Sequence, residues 1–291
     1  MRRSIVSFVA VLLIFKASAQ VAFGQSFTED FNDSTLRNFR YGSTGVRDAF
    51  KWKIGAPSSA EPGTKVLLFK IDPADSAGPG RGPEIISKEF TQYGSYSARI
   101  KIPGVRAVQP NVGAVVGYFT YNMDSLRGLS EIDIEWLIAD PRILYIGTWT
   151  GFSGKLQRIG RTIDLSKGRI YYTISKVNYN GAPTSLLGLQ NQPETIPAIA
   201  GFDASAKFYT YGFDWYPDRL RWWIIHPVTG EKIVLWDYTG SGVGIPRNET
   251  RYRMNFWHTN TWAVETNSQA HERPLQAYEL EVDWMKYEAM K

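Results

Sequence analysis

The chain has 291 residues, 43% hydrophobic and 14% aromatic, with no cysteine and a formal net charge of +5. That length can bury a large core in one domain or two, and the missing cysteine excludes disulfides, a thiol nucleophile and a lipid-modified cysteine. No Lys/Arg-rich stripe runs through the body of the sequence, which argues against nucleic acid as a partner.

The first residues, "MRRSIVSFVAVLLIFKASAQVAFGQS", combine a basic start at Arg2 and Arg3, an apolar run from Ile5 to Phe15, and small residues at Ala17 and Ala19. This is the pattern of a secretory signal, assigned to residues 1–24 with cleavage near Ala19 or Gly24. Its apolar run falls short of the roughly 20 residues a membrane-spanning helix needs, so no membrane association is expected after cleavage. Loss of Arg2, Arg3 and Lys16 lowers the net charge from +5 to +2. Residues 26–291 show no composition shift and are read as a single, secreted, monomeric domain.

Along the body, period-two runs dominate and helical periodicity is almost absent. In chain order, "YGSYSARIKI", "VGAVVGYFTY", "LSEIDIEWL" and "ILYIGTWTG" are read as strands. They are followed by "KFYTYGFDWY", "RLRWWIIH", "KIVLWDY", "YRMNFWHTN" and "AYELEVDWMKYE". Breakers such as "DPADSAGPGRGP", "YPD", "HPVTGE" and "GSGVGIP" separate them, because Gly permits positive φ and Pro fixes it. Many short strands with such turns predict an all-β antiparallel sandwich or jelly roll. The stretch from Lys167 to Ala200 is the least patterned and is expected to be a long surface excursion. Trp215, Trp222 and Trp284 are expected in the core.

In "LSEIDIEWL" three carboxylates alternate with apolar residues and no base stands among them. On a strand, Glu131, Asp133 and Glu135 share one face while Ile132, Ile134 and Trp136 face the core. The outer two Cα atoms are about 13 Å apart, and two long Glu side chains leaning together from a curved strand can close much of that gap. Paired carboxyls about 5 to 5.5 Å apart are what retaining glycosidases use. Mutual repulsion would also raise at least one pKa, as a general acid near neutral pH requires.

The segment "SEIDIEWL" resembles the signature of glycoside hydrolase family 16, the laminarinase and lichenase group. The likeness extends through "SKEFTQYGSYSARIKIP", "GYFTYN", "GFDASAKFYTYGFDWYPDRLRWWI", "MNFWHTNTW" and "YELEVDWMKYE", and so covers most of the chain. The resemblance implies a curved jelly roll whose concave sheet forms an open cleft for a polysaccharide, cut internally with retention. It makes Glu131 the nucleophile, Glu135 the acid/base and Asp133 a helper near the nucleophile. It places Trp257, Asn255 and Glu84 in the cleft, and Asp283 as a ligand of a structural calcium whose other ligands are backbone carbonyls; catalysis needs no cofactor. Aromatic platforms should stack on sugar rings, with Tyr118 and Tyr121 as further candidates.

Several positions depart from that pattern. Leu129 replaces an aromatic before the acidic strand, and Ile86 replaces an Arg two residues after the cleft Glu. "YIGTWTG" lacks an expected Asn and Tyr, although Trp149 offers another stacking surface. A β-glucan, a galactan or another β-linked polymer therefore stays open as substrate, as do a transglycosylase or a non-catalytic carbohydrate-binding protein as alternatives to a hydrolase. The histidines His226, His258 and His271 lack the spacing of a zinc site, and neither a serine-hydrolase turn nor a phosphate loop is present.

Overall fold

The computed structural model describes residues 24–42, 51–75 and 82–291; the proposed signal segment, Gly24 aside, lies outside them. Among the described residues the chain forms β1 (Phe27–Glu29), β2 (Phe39–Tyr41), β3 (Trp52–Pro57), β4 (Lys65–Ile71), β5 (Glu84–Ser87) and β6 (Gly94–Lys101). It continues with β7 (Ala114–Asp124), β8 (Gly128–Leu137), β9 (Ile143–Phe152), β10 (Lys155–Asp164), β11 (Arg169–Val177) and β12 (Thr184–Ser185). The last five are β13 (Tyr209–Trp215), β14 (Leu220–Ile225), β15 (Lys232–Tyr238), β16 (Arg251–His258) and β17 (Tyr278–Ala289). A single 3-10 turn at Gly188–Gln190 is the only helical piece among the described residues.

The strands make two antiparallel sheets, the sandwich expected from the period-two pattern. One runs β15-β14-β13-β6-β17-β4-β3 with β1 on β17, and the other runs β12-β11-β10-β9-β8-β7-β16-β5-β2. Between them lies one hydrophobic core in which aromatic residues are prominent. On β8, Ile132, Ile134 and Trp136 are wholly buried there, as alternation requires. Trp136 packs edge-on against Tyr211 of the opposite sheet at 4.7 Å.

The same sheet-to-sheet contact fixes the acidic strand. Trp222 of β14 stacks on Trp236 at 4.9 Å, and its indole Nε1 donates a 3.1 Å hydrogen bond to the backbone carbonyl of Asp133. A buried indole needs a partner for its N–H, and here that partner is the backbone of the acidic row.

Three expectations require correction. Arg169–Val177, inside the stretch read as an excursion, is a strand paired along β10. Its flanks are half exposed on both faces, so alternation is weak in the sequence. Trp284 is only partly buried, because a register shift between Val282 and Trp284 makes Asp283 an extra residue and rotates its neighbour out of the core. Tyr118 does not face the cleft: it is fully buried, and its hydroxyl meets that of Tyr252 at 2.8 Å. Trp215 and Trp222 are fully buried, as expected.

Replacing Trp222 by Phe keeps most of the packed ring but leaves a backbone acceptor of β8 without its donor. The variant should lose about 1 to 3 kcal/mol of stability, read as a lower urea midpoint. An unchanged midpoint would remove this bond from the fold's support.

Candidate active site

A hollow of ≈ 780 Å³ opens on the outer face of the nine-stranded sheet, and Glu131, Asp133 and Glu135 line it together. Antiparallel register builds the site in rows, since directly opposed residues share a face. Glu131 stands opposite Tyr121 of β7 and Trp149 of β9. Asp133 stands opposite Phe119 and Gly147, and Glu135 opposite Gly117 and Tyr145. The rows continue outward, with Gly117 opposite Asn255 of β16 and Asn255 opposite Glu84 of β5.

Gly117 is needed for that packing. A Cβ there would sit 2.4 Å from the side-chain oxygen of Asn255, so glycine lets the amide lie across β7 toward Glu135. Asn255 Oδ1 and Arg253 Nε are buried without a hydrogen-bond partner among the described residues. Orphaned polar atoms on a cleft wall are what a polar ligand would satisfy.

Glu84, Tyr121, Trp149, Asn255 and Trp257 all reach the hollow. Glu84 is only 2% exposed and is paired with Arg253 at 2.8 Å, so it holds a neighbouring cation in place. Trp257 lines the cleft but is only 9% exposed, packed with Val115, Leu137 and Tyr145. His258, one residue on, points the other way and is fully buried. Trp149 has the Tyr179 ring at 4.5 Å and the Arg158 guanidinium at 5.5 Å.

Arg253, Arg158, Lys176 and Tyr179 were not among the sequence candidates. Arg253 was within reach, because it shares the period-two face of Asn255 and Trp257 in "RMNFW". Arg158 and Lys176 lie on β10 and β11, which the sequence reading did not resolve as strands.

The carboxyls hold their protons unusually tightly. Burial, then the charge on Glu135, pushes Glu131 up to about 8, and burial raises Glu135 to about 7. Asp133, buried between them, lies well above the ordinary range, through burial and then both neighbours. Arg158 opposes the rise at all three, and Arg253 opposes it at Glu131.

Asp283, the candidate calcium ligand, sits on the other sheet with its carboxylate 2.6 Å from Arg99. The same guanidinium also binds Glu61. Among the described residues no group of three or more His, Asp or Glu gathers to hold a metal. A cation at Asp283 would have to displace the guanidinium, so these residues do not fit one, and no role is given to it.

No protein-family model matches the sequence. The beta-glucanase of Paenibacillus polymyxa is 32% identical over 285 residues, covering 95% of this chain and 92% of its own length. That of Paenibacillus macerans is 32% identical over 305 residues, covering 98% and 96%. The chain belongs to the beta-glucanase family. A solved Bacillus licheniformis beta-glucanase shares the fold, with TM-score 0.56 and 19% identity over 92% of this chain and 99% of the other. A lichenase from a mouse hindgut metagenome does too, with TM-score 0.55 and 16% identity over 92% and 100%. Among the described residues of this beta-glucanase relative, no helix is long and apolar enough to cross a membrane.

Two predictions follow from burial and charge. A carboxyl whose folded pKa exceeds its unfolded value favours the fold only while protonated, so stability is lost as pH rises from about 4.5 to about 8. Glu131→Gln should therefore match the parent's melting temperature below about pH 4.5 and exceed it by at least about 2 °C at pH 8. A variant no more stable than the parent at pH 8 would show that Glu131 is not desolvated. Trp257→Ala should cost about 2 to 4 kcal/mol in urea unfolding besides any loss of ligand, because the ring is mostly packed; an unchanged midpoint would make it a surface platform.

Proposed function

We propose that this chain is a secreted glycoside hydrolase of family 16 that cuts a β-linked, glucan-like polysaccharide internally and with retention of configuration. The row Glu131, Asp133 and Glu135, proton-holding and exposed to one cleft, is the observation that carries the reading. Glu131 attacks the anomeric carbon while Glu135 gives its proton to the departing glycosidic oxygen. Esterified Glu131 no longer carries charge, and Glu135, now ionised, takes a proton from the incoming water as that water releases the sugar.

The protonation pattern needs one further element. The two glutamates lose their protons near 7 and 8 as an interacting set, so between those values they hold one proton together. Double displacement uses the form with that proton on Glu135, whereas in the free site Glu131 has the higher value. Burial and both neighbours hold the Asp133 carboxyl well above the ordinary range, and in this reading a hydrogen bond from it to the Glu131 carboxylate would shift the shared proton to Glu135.

The rest of the cleft suits sugar. Asn255 Oδ1 accepts from a hydroxyl, and Tyr121 and the exposed part of Trp257 offer apolar ring surface. The segment 1–24 exports the enzyme to polymers too large to enter a cell. The enzyme is proposed to act as a monomer.

Purified enzyme should release reducing ends from mixed-linkage glucan or laminarin, fastest between about pH 7 and 8, and proton NMR should show the β-anomer first. Glu131→Ala should lose at least about 10⁴-fold in kcat while folding and retaining polysaccharide. Undiminished hydrolysis in that variant would refute the nucleophile; an α-anomer as first product would refute double displacement.

A further inference from the structure

We propose that Arg158 and Lys176, set against Trp149 and Tyr179, form an anion-binding subsite that takes a sulfate ester or carboxylate on a sugar of the polysaccharide. The inference deepens the glycosidase reading and rests on it. All four side chains line the same hollow as the acids. Register places them in sequence across the sheet: Glu131 opposite Trp149, Trp149 opposite Arg158, and Arg158 opposite Lys176. With strands about 4.8 Å apart, the Cα of Arg158 lies about 10 Å from that of Glu131 and the Cα of Lys176 about 14 Å. The positive charge thus stands beside a neighbouring sugar, away from the bond being cut.

These cations differ from Arg253, the third cation lining the hollow. Arg253 is spent on Glu84. Among the described residues neither Arg158 nor Lys176 has a carboxylate within ion-pair distance. Lys176 donates to the backbone carbonyl of Tyr179 at 2.7 Å, and its ammonium and the Arg158 guanidinium both lie within 6 Å of the Trp149 ring centre, at 5.8 and 5.5 Å. Two like charges on directly opposed positions of a sheet destabilise it. Their repulsion, after burial, lowers the pKa of Lys176.

Balancing the acids explains only half of this. Arg158 does oppose the rise in pKa at all three carboxyls, but Lys176 does not act on any of them. A neutral glycan, which offers hydroxyls and apolar ring faces, gives no reason to set a second cation against the first. An anionic substituent does, since a guanidinium fork and an adjacent ammonium together meet a sulfate or carboxylate. Such a ligand would relieve the repulsion between the two cations.

The test compares one backbone in three forms: laminarin, sulfated laminarin and carboxymethyl-laminarin. At low salt the parent enzyme should show a kcat/KM at least about tenfold higher on a charged form than on laminarin, an advantage that shrinks in about 0.5 M NaCl. Which charged form gains more distinguishes sulfate from carboxylate. In the Arg158→Gln/Lys176→Gln double variant the charged-to-neutral ratio should fall at least about tenfold. A parent that prefers laminarin, or a variant whose pH profile moves upward on all three polymers with the ratio unchanged, would overturn the subsite and leave Arg158 as a tuner of the acids. If the parent cleaves neither these polymers nor mixed-linkage glucan, the glycosidase reading is what has failed. Retention of the three polymers in affinity electrophoresis then judges the subsite alone, and equal retention of parent and double variant would overturn it.

Discussion

Three carboxylates on one face of β8 repel one another, and they stay together because the opposite face of the same strand is anchored in the core. Ile132, Ile134 and Trp136 are wholly buried, and the backbone at Asp133 is held by the Trp222 indole of the facing sheet. The free energy stored in crowding and desolvating the acids is thus offset by apolar burial a few ångströms beneath them. A strand with one solvated face and no such anchor would relax by turning its acids into water. The site exists because alternation forces both faces to be satisfied at once.

From that strand the site spreads sideways through register. β7 and β9 flank the acids, β16 and β5 add the Asn255 and Glu84–Arg253 wall, and β10 and β11 add Arg158 and Lys176. Glycines in these rows, Gly117 above all, leave room where a side chain would close the hollow. The two halves differ in charge: an ion pair closes one wall, while uncompensated cations form the other. A beta-glucanase scaffold can therefore keep its chemistry and alter what sits beside it.

Much of this was legible in the amino-acid order, for reasons that differ by element. The acidic row could be read because a period of two is unambiguous when carboxylates alternate with Ile and Trp. The same rule, applied to "GYFTY", would have sent Tyr118 to the core and kept Tyr121 in the cleft. Lys167–Ala200 misled because Arg169–Val177 is partly exposed on both faces, so the pattern that marks a strand is blurred. Trp284 misled because a bulge resets the parity after Val282, and a bulge has no signature in that stretch. The pairing of Asp283 with Arg99 joins residues 184 apart in sequence, which only the folded register brings together.

The central claim, that the acids of β8 share protons in a desolvated row, is tested most directly by carboxyl carbon-13 NMR titration of the intact protein. Two glutamate resonances should move near pH 7 and 8, far above the ordinary carboxylate range, and their titrations should be mutually dependent. If every glutamate and aspartate instead finished titrating below about pH 5, the row would be a solvated acidic face, and the account of the site built on it would be wrong.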